Sequence, residues 1–188
     1  MAEFMFHQAA AGFEAARRVA ILPAGHRARR LHGHGFLARL RALLPPTWAA
    51  GTETTLLTQA LQGAVSPLDY EDLNTLLPVP TDENLARWIR DRLSVPKIVS
   101  VGVQSTRDQG VDLDGSDHAH LWRRFRFEAA HRLPNVPKGH PCGRMHGHGF
   151  EVILHADQDL AGADLGVDFD HLEGVWGPLH YELHLTCL

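Results

Sequence analysis

His146 and His148 are two residues apart, and His131 lies 15 residues before the first of them. On a strand, residues i and i+2 project to the same side, so both imidazoles can reach one ion. A preceding strand folded back as a hairpin would bring His131 opposite the pair and complete a three-histidine set. Three neutral histidines with an open fourth position make a catalytic zinc site rather than a structural one. Gly147, between the pair, lets a ligand or another backbone approach closely. Cys142 stands four residues before His146. Near a zinc ion and the basic groups Lys138, His140 and Arg144, its thiol would ionise more readily and could act as a general base. The plainer alternatives are histidines that satisfy local hydrogen bonds on a half-exposed sheet, and a loop cysteine without chemistry. The chain carries 14 histidines among 188 residues, a surplus of the commonest metal ligand.

These residues sit in a repeated pattern. FEAAR at 13–17 returns as FEAAH at 127–131, and LHGHGF at 31–36 returns as MHGHGF at 145–150, both 114 residues on. Two matches at one spacing point to a tandem duplication, with a period too long for a solenoid and suited to a small domain. A looser third pair, SPLDYE at 66–71 and GPLHYE at 177–182, is 111 residues apart, the difference absorbed by a loop. The modules are expected at 1–112 and 118–188. The second is expected to be incomplete, because only Leu183 to Leu188 follow its LHYE. Copy 1 acts as an internal control. It keeps His32 and His34 but has Arg17 where copy 2 has His131, and a guanidinium stays protonated and repels a cation. Copy 1 is therefore expected to bind metal weakly or not at all. Ala28 stands in the place of Cys142, and Cys187 is assigned no role.

Several elements must position these groups. Residues 4–22 and 32–42 read as strands joined by a basic loop, 53–63 as a helix stopped by Gly63, and 97–106 as a strand with Val99, Val101 and Val103 alternating. Residues 81–93 are the clearest helix, with Thr81 as N-cap, Asp82 and Glu83 at its positive end, and Leu85, Trp88, Ile89 and Leu93 on one face. Residues 107–117 read as a turn or linker. In copy 2, 121–133 and 146–156 read as strands. Phe125, Phe127 and Ala129 share one face of the first, and Trp122, Arg124 and Arg126 the other. A helical region is expected from Asp168, interrupted at Gly174 and at Gly177-Pro178. The fold class is α+β, an antiparallel sheet with helices on one face.

Composition excludes other classes. Apolar residues make up 44% and charged residues 21%, near the globular average. A net charge of −4 gives no reason to expect nucleic acid or an anionic membrane as partner. No apolar stretch of about 18 residues marks a membrane span. Two cysteines and no evident signal peptide suit a reducing, cytoplasmic setting.

FxFEAAHRLP, CxxxHGH, a DF pair at 168–169, LDYEDLN at 68–74 and PTDENLA at 80–86 together resemble the 6-pyruvoyltetrahydropterin synthase / 6-carboxytetrahydropterin synthase family. The resemblance implies the tunnelling fold in two tandem modules, the second truncated. It implies Zn²⁺ on His131, His146 and His148, and Cys142 as catalytic base. It implies a lyase acting on 7,8-dihydroneopterin triphosphate, of the 6-carboxy type that serves queuosine and 7-deazapurine synthesis. The alternatives are the 6-pyruvoyl type, which eliminates triphosphate, or a non-catalytic pterin- or metal-binding module. Three two-module chains forming a pseudo-hexamer are the implied homo-oligomer. Two departures stand out. The family's Asp-His couple reads Asp69-Tyr70 in copy 1 and His180-Tyr181 in copy 2, so Asp69 is expected to complete a site whose zinc and Cys142 come from copy 2. The pterin-anchoring glutamate of a Glu-Thr pair is replaced by Ser105-Thr106 in copy 1, and copy 2 ends before reaching it.

Overall fold

A computed structural model describes residues 5–48, 51–158 and 167–188. The chain opens with a hairpin of two thirteen-residue strands, β1 (Met5–Arg17) and β2 (His32–Leu44). Period-two patterning decides which face is covered. Ala9, Ala11, Phe13 and Ala15 of β1 and Phe36, Ala38, Leu40, Ala42 and Leu44 of β2 are buried. Helix α1 (Glu53–Val65) packs on this hairpin through Leu57, Leu61, Ala64 and Val65. It runs through Gly63 instead of stopping there. The apolar face continues past the glycine, whose cost of about 1 kcal/mol is small beside that burial, and the helix gives way only at the Ser66–Leu68 turn containing Pro67.

The two-residue strand β3 (Glu71–Asp72) pairs in parallel with β1. Helix α2 (Asp82–Arg90) follows, with the Thr81 hydroxyl accepting from the Asn84 N–H at 3.3 Å. Leu85, Ala86 and Ile89 are buried against β4 (Ile98–Thr106) and β5 (Gln109–Asp114). The strand β5 replaces most of the expected linker. Val111 and Leu113 alternate into the core within the acidic, Gly-containing stretch. Gly110 is required there, since a Cβ would lie 2.6 Å from the Val103 carbonyl and 2.9 Å from the Trp122 ring.

Copy 2 contributes β6 (Ala119–His131), β7 (His146–Gln158), α3 (Phe169–Leu183) and the short β8 (Thr186–Cys187), parallel to β6. Phe125, Phe127 and Ala129 face α3, and the Trp176 ring lies 5.3 Å from Phe125 and 5.9 Å from Phe127. Asp168 caps α3 by accepting from the His171 N–H at 2.9 Å. The expected breaks at Gly174 and Gly177-Pro178 do not occur. Pro178 forgoes one helical hydrogen bond, but burial of Leu172 and Trp176 holds the helix in one piece.

The eight strands among the described residues form one sheet, in the order β3-β1-β2-β4-β5-β6-β7 with β8 on β6. The two copies therefore join through hydrogen-bonded strands, Gln109 opposite Arg123 through Leu113 opposite Ala119. The β1–β2 and β6–β7 hairpins keep one register: Met5 opposite Leu44 and Arg17 opposite His32, then Ala119 opposite Gln158 and His131 opposite His146. Among the described residues, copy 2 has no counterpart of α2, β4 and β5. No helix among them is long and apolar enough to cross a membrane.

Candidate metal centre

The hairpin β6–β7 brings the three histidines together. His131 lies opposite His146, and Ala129 opposite His148, so all three side chains leave the sheet on the helix-covered face. One ring nitrogen from each lies within 4.8 Å of the others. Ring centroids are 4.7 Å apart for His131 and His146, 5.0 Å for His131 and His148, and 4.8 Å for His146 and His148. Beneath them the rings of Phe127 and Phe150 stack at 4.8 Å and stiffen the platform. His146 Nδ1 donates to the Arg144 carbonyl at 2.8 Å. A carbonyl only accepts, so the hydrogen sits on Nδ1 and the Nε2 lone pair stays free. Desolvation, then the two neighbouring imidazoles, hold His131 below the ordinary histidine range, which keeps it neutral at pH 7. Three imidazole nitrogens converging from stiff strands fit a divalent ion that favours such donors.

Cys142 sits in a one-turn helix, Pro141–Gly143, in the loop between the two strands, partly exposed. Its N–H donates to His140 Nδ1 at 3.1 Å, and its carbonyl accepts from the Leu133 N–H at 2.8 Å. Copy 1 repeats this loop: the Ala28 N–H donates to His26 Nδ1 at 3.1 Å, and the Ala28 carbonyl accepts from the Val19 N–H at 2.8 Å. Gly25 and Gly139 both adopt φ of +89°, a left-handed backbone that favours glycine. Arg132, Lys138, His140 and Arg144 line an open groove on the copy 2 loop.

Asp69 is not brought to this centre within one chain. It lies beside β1 at one end of the sheet, whereas the histidines occupy β6 and β7 at the other. Its carboxylate accepts from the Glu14 N–H at 2.8 Å, and the Tyr70 N–H donates to the Glu14 carbonyl at 2.6 Å. The third repeat pair needs correction here. The residues that do the same in copy 2 are His184 and Leu185, not His180 and Tyr181. The Glu128 N–H donates to His184 Nδ1 at 3.1 Å, and the Leu185 N–H donates to the Glu128 carbonyl at 2.6 Å. Tyr70 and Leu185 share a left-handed backbone, φ 59° and 60°. His180 and Tyr181 belong to α3, with His180 stacked on His184 at 4.6 Å.

Sequence reasoning placed Asp82 at a helix start and Ser105 at the anchor position, but missed the network that joins them to Arg17 and Gln109. Arg17 pairs with Asp82 at 2.6 Å, and both are buried. The Ser105 hydroxyl donates to the other Asp82 oxygen at 2.7 Å, and the Gln109 side-chain amide donates to Ser105 at 3.3 Å. Burial, then the Arg17 charge, pushes His34 down to about 4. Burial, then the Asp82 charge, raises Glu83. Arg17, His34, Asp82, Glu83 and Gln109 border a small cavity of about 170 Å³. An acidic residue at a helix start signals only a favourable dipole, so nothing local marked Asp82 as the partner of a residue 65 positions away.

Comparison with known proteins agrees with the duplication. A family model described as 6-pyruvoyl tetrahydropterin synthase matches residues 8–114 and again 120–188. Among solved structures, the chain is similar to the 6-pyruvoyl tetrahydropterin synthase of Caenorhabditis elegans, at 17% identity and a TM-score of 0.49, over 61% of this chain and 97% of that one. It is also similar to an uncharacterized protein from Wolinella succinogenes, at 16% identity and a TM-score of 0.42, over 59% of this chain and 99% of that one. The two matched segments take in nearly all of the α+β sheet with its helices on one face, the tunnelling fold, and the chain belongs to the 6-pyruvoyl tetrahydropterin synthase family.

Proposed function

We propose that the chain is a zinc-dependent lyase of the 6-carboxytetrahydropterin synthase type, acting on 7,8-dihydroneopterin triphosphate in a reducing, cytoplasmic setting and serving queuosine, 7-deazapurine or tetrahydropterin synthesis. The observation that carries this reading is the convergence of His131, His146 and His148 in copy 2. These three residues would hold the ion, which when bound lowers the pKa of a substrate hydroxyl. Cys142 Sγ takes a proton from the substrate as general base. The charges of Arg132, Lys138 and Arg144 along the groove of the copy 2 loop suit the triphosphate. Residues 1–112 and 118–188 form the two modules. Three chains form the ring in which Asp69 of one chain reaches the Cys142 site of the next.

The test is zinc per chain together with turnover of the pterin triphosphate. We expect about one zinc, lost in His146→Ala together with turnover. A second reading, a pterin- or metal-binding module without catalysis, is favoured by His184-Leu185 standing in copy 2 where copy 1 has Asp69-Tyr70. Zinc and pterin binding with no turnover would select it. Absence of zinc from the folded chain would overturn the enzyme reading.

A further inference from the structure

Copy 1 repeats the backbone of the metal centre without its donor set. Arg17 lies opposite His32 as His131 lies opposite His146. Phe13 and Phe36 stack at 4.8 Å as Phe127 and Phe150 do. The Arg17 side chain is 7% exposed and its guanidinium lies 5.0 Å from the Phe36 ring centre. Acceptors meet its two terminal nitrogens, Asp82 Oδ1 at 2.6 Å, the Pro80 carbonyl at 2.9 Å and His34 Nε2 at 3.5 Å, while the buried Nε has no acceptor. A permanent cation in that position repels a metal ion.

We infer that copy 1 is a metal site whose cation has been built into the chain, the Arg17 guanidinium standing in for the ion and Asp82 serving as the counter-charge that fixes it. The guanidinium thereby ties β1 to the start of α2 and, through Asp82 and Ser105, to β4. A metal would perform the same cross-linking, but the internal ion pair needs no supply of metal and survives chelation. This inference concerns Arg17 and Asp82 and does not depend on catalysis in copy 2.

The test uses the full chain with the copy 2 site removed by His131→Ala and His146→Ala, titrated with Zn²⁺ and with Co²⁺. That background should bind neither ion. Adding Arg17→His completes a three-histidine set with His32 and His34 beside the freed Asp82 carboxylate, and should raise binding from none to about one equivalent, with visible Co²⁺ absorption. A folded Arg17→His chain that binds no ion, or a background chain that already binds one at copy 1, overturns the inference. Where Arg17→His does not fold, hydrogen exchange of the native chain decides. Saturating chelator should leave the protection of amides near Arg17 and His34 unchanged. A tenfold or greater loss of protection there refutes the built-in cation.

Discussion

Replacing Asp82 by alanine should be among the most damaging single changes in copy 1. Asp82 is 2% exposed and Arg17 5% exposed, so neither charge has water to fall back on. Deleting one partner of a buried pair leaves the other uncompensated, which costs about 3–5 kcal/mol. The Ser105 hydroxyl also loses its acceptor, adding about 1 kcal/mol. In a chain of this size each kcal/mol lowers Tm by about 2–4 °C, so the loss should reach roughly 10 °C or more. Replacing both charges, Arg17→Met with Asp82→Leu, should recover most of that loss, since an apolar pair of similar volume pays no desolvation. The exposed pair of Arg126 and Glu151, 3.3 Å apart, supplies the contrast. Arg126→Ala, which leaves Glu151 paired with Arg124 at 3.1 Å, should cost less than about 1 kcal/mol. Urea unfolding followed by tryptophan fluorescence, with chelator present so that metal linkage does not contribute, measures all three. An Asp82→Ala chain within about 1 kcal/mol of the native one, or a double variant no better than the single, would refute the reasoning.

Three further outcomes are expected. Cys142→Ser should keep its zinc and lose turnover by about a hundredfold or more, the usual share of a positioned base; unchanged turnover removes Cys142 from the chemistry. Asp69→Ala should abolish turnover and, by removing the acceptor of the Glu14 N–H, cost about 1 kcal/mol of stability; if turnover persists, the shared-site idea is wrong. His120 is held above its ordinary range, first by its hydrogen bond to Asp157 at 2.6 Å and also by Asp114. A histidine raised on folding stabilises fully below its unfolded value of about 6.5 and loses that contribution as pH climbs through the folded value. Denaturation at pH 6, 7 and 8 should therefore show a steeper decline for the native chain than for His120→Gln, and parallel curves would contradict it.

The histidine cluster was legible because hairpin geometry turns an i, i+2 pair and a distant third residue into neighbours, and because the repeat showed both hairpins at once. β5 was hidden because Asp112, Asp114 and Gly110 carry turn chemistry. What makes it a strand is Val111 and Leu113 entering the core and Trp122 lying across Gly110, contacts made by residues distant in sequence. The third repeat was misaligned because SPLDYE and GPLHYE share letters. The structural equivalence rests instead on which residues hydrogen-bond to Glu14 and Glu128. Helix α3 crosses Gly174 and Pro178 because Trp176 is anchored between them. The Asp82 network was invisible for a similar reason: a buried counter-ion is chosen by three-dimensional proximity, and a helix start looks the same whether or not a guanidinium waits above it.

The pairing of β5 with β6 has a consequence for inheritance. Two subunits that merely associate can exchange partners, and their ratio can drift with expression. Here the arginine-filled and histidine-filled halves are welded edge to edge through main-chain hydrogen bonds across residues 109–113 and 119–123. Each molecule carries one of each. Residue 17 and residue 131 are free to change separately, but a one-residue slip in the weld would turn every copy 2 side chain to the opposite face. The duplication thus behaves as a permanent heterodimer, in which specialisation of either half is never diluted by the other.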